Sequence, residues 1–343
     1  MKAYVLEAVN DLCYMEVPIP NCPAGWAIVQ VKASGICSSD ISRIYTKGTY
    51  HFPTIPGHEF SGIVTQVASK VDENWVGRKV SVFPLIPCRK CIYCQNGQYE
   101  LCTDYDYIGS RRDGAFAEYV AVPVWNLVGL PDGISFQEAA LMEPLAVALH
   151  AIKIGNICSQ DSVAIIGTGM IGFAAAQWAV KLGTCSVTVL GRSVDKKIIA
   201  DTMDKIQYRL IDETKDEFDV VIEAVGSNSS IESALNLVKS GGRLVLMGNP
   251  AENIHLSQNV YWKILRKQLQ IFGTWNSSYE SQLSSDWTDV VEALNSKTIQ
   301  AKKLITHTFE QRDLKRGLEM MKRNQEIFCK VMTVWNEKDE MGV

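Results

Sequence analysis

The stretch SVAIIGTGMIGFAAAQWAVKLG, residues 162–183, decides how this chain folds. A short apolar run ending at Ile166 meets Gly167-Thr168-Gly169-Met170-Ile171-Gly172, and an Ala-rich segment follows. From Val163 to Val180 there is no charge, which approaches the length of a membrane span. Gly-rich turns fit poorly in a lipid-exposed helix, so strand, turn and buried helix is the better reading. In that setting each glycine of the G-x-G-x-x-G spacing has a purpose. Gly167 permits the tight turn, Gly169 lets a pyrophosphate approach the backbone, and Gly172 lets helix and strand pack closely. Met170 and Ile171 open the helix, whose N–H groups and dipole favour phosphate.

A dinucleotide's second ribose is read at the end of the next strand, where an acid would hold the 2'-hydroxyl of NAD. Here the strand Val187 to Leu190 runs into Gly191-Arg192-Ser193, with no acid, and Asp195 comes too late. A small residue leaves room for a 2'-phosphate that Arg192 can pair with, aided by Ser193 and Lys196. The expectation is NADP(H); the alternative is that Arg192 is a solvated side chain and either cofactor, NAD(H) included, is taken.

Working outward, SVTVL, DVVIEAVG, RLVLMG and LQIFGT alternate with helical stretches, the pattern of βαβ crossovers and a doubly wound parallel sheet over residues 153–290. Upstream, AYVLEAV, AIVQVKASG, FSGIVTQVAS, KVSVFP and AEYVAVP are separated by Pro and Gly, which predicts an all-β domain over 1–152. The remainder, 291–343, carries LITHTF, an amphipathic helix around RDLKRGLEMMKRN and FCKVMTVW, and is expected to return to the first domain. A length of 343 residues suits about two domains. With 47% hydrophobic and 21% charged residues and a net charge of -4, the chain reads as soluble and globular, without the basic runs that track nucleic acid. MKAYVLEAVNDLCYMEVPIP lacks the apolar core of a signal peptide, so the expected location is cytoplasmic.

Ten cysteines in that compartment should be thiols or metal ligands. Cys88, Cys91, Cys94 and Cys102 have C-x2-C-x2-C-x7-C spacing, able to wrap four thiolates around one ion. Four thiolates leave no open position, so such a site organises a loop and does not catalyse. Thiolate sets suit zinc and iron–sulfur alike; no electron-transfer motif accompanies this one, which favours zinc. Catalytic candidates lie elsewhere: Cys37 in Gly35-Ile36-Cys37-Ser38-Ser39-Asp40, His58 and Glu59 after Gly57, and Glu143 before Pro144. Three mixed ligands and an open position would make zinc a Lewis acid, but residues scattered this widely are not proof by themselves.

Taken in order, G-x-C-x-S-D, P-G-H-E-F-S-G, the four-cysteine loop, E-P and G-x-G-x-x-G resemble the zinc-dependent medium-chain alcohol and polyol dehydrogenases over nearly the whole chain. Within that family FPTIPGHEFSGIV, LIPCRKCIYCQNGQYELC, DYIGSRRDGAFAEY and KILRKQLQIFGTW are similar to members acting on sugar alcohols and their phosphates. The resemblance implies a GroES-like β-barrel catalytic domain beside a Rossmann domain. It implies a catalytic zinc on Cys37, His58 and Glu143, with Glu59 able to swap in for water, and a structural zinc on the four cysteines. Gly191-Arg192 departs from the acid of NAD-using members.

The chemistry so implied is hydride transfer between a secondary alcohol and NAD(P), with Ser39 accepting the hydroxyl proton and Asp40 orienting the ligands. The expected substrate is a polyol phosphate such as galactitol 1-phosphate or a pentitol phosphate, clamped by Arg111 and Arg112, with Arg43 and Lys47 nearby and Trp275 shaping the cleft. Salt bridges to Asp113 or Glu118 are the alternative use of the arginines. An unphosphorylated polyol, a 3-hydroxy amino acid, or a non-enzymatic nucleotide-sensing module are the other readings. A homodimer or homotetramer is expected from the family, without nucleic-acid or membrane partners.

Overall fold

The computed structural model describes residues 1–281 and 283–335; positions 336–343 of the expected C-terminal segment lie outside it. Two compact units result: one holds Met1–Glu143, Ser278–Ser296 and the chain from Ile305 onward, the other Pro144–Ser277 and Lys297–Leu304. These boundaries differ from those expected at 152/153 and 290/291, for reasons visible in the packing. Trp178 Nε1 donates to Leu145 O at 2.9 Å, so the helix Met142–Ile154 packs with the Gly-rich-turn helix from its first turn. Tyr279 stacks on Phe83 with centroids 4.5 Å apart and Trp287 meets Phe83 edge-on at 5.6 Å, which draws 278–296 into the β-rich unit. Gln300 N donates to Gln177 Oε1 at 2.7 Å, which draws 297–304 into the other.

In the second unit six parallel strands stand in the order Ile206–Leu210, Ser186–Gly191, Ser162–Ile166, Phe218–Glu223, Val238–Leu246, Gln270–Gly273. That is the Rossmann order, and it reverses between Ser162–Ile166 and Phe218–Glu223, where such sheets bind ligands at their carboxyl ends. Both central strands are buried almost throughout, as continuous apolar runs require. Ile206–Leu210, which sequence reasoning did not predict, is an edge strand alternating half-buried and exposed residues, too polar to stand out. The helix Met170–Leu182 buries nine residues and ends at Gly183 with φ 78°. Among the described residues no helix is long and apolar enough to cross a membrane.

The first unit is built on a sheet in the order Ile305–Glu310, Lys330–Val334, Trp26–Ile36, Glu59–Val67, Lys79–Val82, Leu127–Gly129, with Tyr119–Pro123 also paired to Trp26–Ile36. Lys330–Val334 runs antiparallel to Trp26–Ile36, matching Val331 with Ile36 and Met332 with Gly35. Leu314 and Leu318 of the helix Leu314–Arg323 join the core with Val29, Phe60 and Phe116. The late segment therefore belongs to this sheet.

Candidate active site

Cys37 ends the strand Trp26–Ile36 and caps the helix Ser38–Ser42, while His58 and Glu59 enter the neighbouring strand Glu59–Val67. Register places Gly35 opposite Glu59, so the two ends meet. The ligand atoms of Cys37, His58 and Glu59 lie within 4.8 Å of one another, a spacing and donor set that fit a divalent transition metal.

One buried carboxylate orders two of these groups. Asp40 Oδ2 accepts the Cys37 N–H at 3.0 Å, and Oδ1 lies 3.3 Å from His58 Nδ1, at ion-pair range but off the line of a straight hydrogen bond. Nδ1 thus faces Asp40 and Nε2 is left for a metal. Burial favours neutral forms of both groups, yet their mutual attraction, with Arg43 beside Asp40, holds the carboxyl below its ordinary pKa and the imidazole well above.

Glu59 is 1% exposed, and its Oε2 accepts from Lys330 Nζ at 2.5 Å; the ammonium also donates to Ile36 O at 3.2 Å. Gly35 leaves room for this carboxylate, since a Cβ at this position would displace Glu59 Oε2 from where it stands. Burial works against the Lys330 ammonium, but Glu59 and Cys37 outweigh it and raise its pKa. Lys330 escaped sequence reasoning because a lone lysine in FCKVMTVW reads as the polar face of a strand; four of the five residues in Lys330–Val334 are buried.

The resemblance put Glu143 in the ligand set and Glu59 in reserve; among the described residues it is Glu59 that shares the close group with Cys37 and His58. Glu143, 8% exposed in the first turn of its helix, stays outside the close group, and its Oε1 accepts from the Tyr107 hydroxyl at 3.1 Å. Burial and Glu59 raise its pKa against the pull of His58 and Lys330. Tyr107, also missed from sequence, meets the His58 ring edge-on at 5.7 Å. Ser39 Oγ accepts from Arg43 Nη1 at 2.9 Å, and the same nitrogen lies 3.5 Å from Asp40 Oδ1. Arg43 opens a single π-helical turn, Arg43–Lys47, a backbone form frequent at functional sites.

The expected Arg111–Arg112 clamp does not form at this group. Arg111 lies between Tyr50 and Tyr105, 4.4 Å from each ring, and donates to Tyr105 O at 2.7 Å; Arg112 pairs with Asp106 at 2.7 Å. Both line a cavity of about 660 Å³ that none of the three clustered ligands lines. Trp275, after the edge strand of the other unit, is 54% exposed.

The four-cysteine loop converges as its spacing predicts. Sγ separations are 3.5 Å for Cys91–Cys94 and 4.0 Å for both Cys88–Cys94 and Cys91–Cys102. Four sulfurs about 2.3 Å from one zinc would stand about 3.8 Å apart, so the set fits that ion and is far too wide for disulfides. Backbone N–H groups of Cys94 and Thr103 pull the Cys91 thiol down to about 6, whereas burial pushes Cys94 up to about 12 and Cys102 upward. A bound cation must displace the Cys94 and Cys102 protons at neutral pH, and below about 6 that of Cys91 as well. Zinc retention against a chelator is therefore expected to fall with falling pH, most steeply below about 6. Trp125, which packs on Tyr99 at 4.9 Å and under Arg89 at 4.6 Å, should report release by its fluorescence. Unchanged retention across that range would exclude the assignment.

In the Rossmann unit Gly167 takes φ 128°. Gly169 caps the helix Met170–Leu182 with open space where a Cβ would point, a cradle above free N–H groups that fits a pyrophosphate. A Cβ on Gly172 would strike Gly167 O. Gly172→Ala is accordingly expected to cost about 1–3 kcal/mol and to weaken nucleotide binding about tenfold, checked by thermal melting and nucleotide titration. Arg192 is exposed and has no ion pair or hydrogen bond among the described residues, and Ser193 Oγ donates to Asp195 at 2.8 Å.

Residues 23–132 match the alcohol dehydrogenase GroES-like domain and 171–296 the zinc-binding dehydrogenase family. Galactitol 1-phosphate 5-dehydrogenase of Escherichia coli (strain K12) is 34% identical over 290 residues, covering 81% of this chain and 84% of its own. The chain belongs to the zinc-dependent medium-chain dehydrogenases. Sorbitol dehydrogenase of Bacillus subtilis (strain 168) is 29% identical over 353 residues, 98% of each chain. The crystal structure of galactitol-1-phosphate dehydrogenase from Escherichia coli superposes with a TM-score of 0.89 at 31% identity, covering 97% of this dehydrogenase and 100% of that chain. The first unit is thus the GroES-like domain and the second the Rossmann domain of an alcohol or polyol dehydrogenase.

Proposed function

We propose that the dehydrogenase transfers a hydride between a secondary hydroxyl of a polyol phosphate and NADP(H), with zinc on Cys37, His58 and Glu59 and a second zinc on the four cysteines. The observation that carries this reading is the convergence of the ligand atoms of Cys37, His58 and Glu59 within 4.8 Å of one another, with Asp40 ordering the first two. When bound, zinc supplies Lewis acidity to a hydroxyl oxygen and nicotinamide supplies the hydride acceptor. Ser39 takes the hydroxyl proton, and the Arg43 hydrogen bond aims its oxygen. Arg43 also provides the cation for a substrate phosphate, a role Arg111 and Arg112 cannot share while engaged with Tyr105 and Asp106. Arg192, without an ion pair among the described residues, follows the second strand and receives the 2'-phosphate.

An unphosphorylated polyol is the second reading, favoured by the commitment of Arg43 to Ser39 and Asp40 and in keeping with the sorbitol dehydrogenase relative. Rates on hexitol and pentitol phosphates against their free polyols, with both cofactors, separate the two. Phosphates are expected to win by about tenfold or more in kcat/KM, and Arg43→Ala to remove the difference. Equal rates would remove the phosphate. Arg192→Asp should reverse the cofactor preference; an unchanged ratio would overturn the NADP(H) reading.

The edge strand Gln270–Gly273, with Ile271 40% exposed, and the helix Gln258–Arg266, with Tyr261 52% and Leu265 56% exposed, support a homo-oligomer formed there. Light scattering decides it.

A further inference from the structure

Two carboxylates flank one cation position, and each has its own buried partner: Lys330 for Glu59 and Tyr107 for Glu143. We propose that Tyr107 is a positioning residue that holds Glu143 out of the cation's coordination shell and so keeps the fourth position open. The inference rests on the reading of Cys37, His58 and Glu59 as zinc ligands.

Tyr107 is fixed from two sides. Its backbone lies in the short strand Asp106–Tyr107, opposite Leu85 of Leu85–Ile86, and its ring stands edge-on to His58 at 61°. From that position the hydroxyl reaches Glu143 Oε1 at 3.1 Å. A thiolate, a neutral imidazole and one carboxylate already balance the charge of a divalent ion. A second carboxylate would fill the remaining position and close the site to substrate. Glu143 is 8% exposed, so without the phenol it would be a buried carboxylate short of a donor, and the cation would be its best remaining partner. The hydrogen bond from Tyr107 satisfies Glu143 where it stands, outside the close group.

The test compares the full-length, zinc-loaded protein with Tyr107→Phe, Glu143→Gln and the double variant. Zinc transfer to a chromophoric chelator and the visible spectrum of the cobalt-substituted protein are measured beside steady-state kinetics. Tyr107→Phe is expected to slow zinc release about tenfold, change the cobalt spectrum, and lower kcat/KM about tenfold with the KM for nucleotide unaltered. In the double variant, which lacks the intruding carboxylate, release should return to the unaltered rate. Release from Tyr107→Phe at or above the unaltered rate, or a double variant that stays slow, would overturn the proposal. Melting temperatures of all variants identify any that misfold, and Glu143→Gln alone, releasing zinc at the unaltered rate, provides the folded reference. Failure of the parent reading looks different: Cys37→Ser would then retain both zinc ions, and this inference would fall with it.

Discussion

Cys37→Ser is expected to remove one of two zinc equivalents per chain and to lower kcat/KM by about a thousandfold or more. Cys37 is the one sulfur ligand of the close group, and its backbone N–H is tied to Asp40, which also faces His58. Serine preserves the helix cap but replaces a soft thiolate with a hydroxyl that stays protonated and binds zinc poorly. Several kcal/mol of charge stabilisation are lost with the ion, which is where the thousandfold comes from. Elemental analysis should find the other equivalent still on the four cysteines. Full activity in a variant with one zinc would end the catalytic assignment.

Lys330→Met should produce the largest loss of stability. Lys330 is 3% exposed and Glu59 1%, so truncating the cation strands a carboxylate away from water. Breaking such a pair from one side costs about 3–5 kcal/mol, which corresponds to a fall in Tm on the order of 10 °C for a unit of this size. Metal-free protein gives the clean measurement, because a bound ion would compensate Glu59. The double variant Lys330→Met/Glu59→Gln should recover most of the loss, since a neutral pair no longer strands a charge. A drop below about 1 kcal/mol in the single variant would mean that water reaches Glu59.

What the sequence disclosed and what it hid divide along range of interaction. Gly167, Gly169 and Gly172 act within one turn, and the four cysteines within one loop, so spacing alone exposed them. Cys37 and His58 stood out through motifs whose neighbours, Asp40 and Glu59, share their short segments. Lys330 and Tyr107 were invisible because their roles come from partners 271 and 36 residues away. The same limit misplaced the domain boundaries: nothing local in Met142–Ile154 says that Leu145 will meet Trp178. Arg111 and Arg112 misled in the opposite sense, a conspicuous pair that aromatic rings and Asp106 absorb.

The pairing of Lys330–Val334 with Trp26–Ile36 also sets an order of biosynthesis. A ribosome completes every strand of the Rossmann sheet well before it reaches Lys330, whereas the site that began at Cys37 must wait for Lys330 itself. Until then Glu59 has no counter-ion, and a nascent chain that captures zinc early would hold it in a half-built pocket. Completion of the candidate site is thereby linked to synthesis of the Lys330–Val334 strand, and a product truncated before it would carry a nucleotide fold without the Lys330 partner of Glu59.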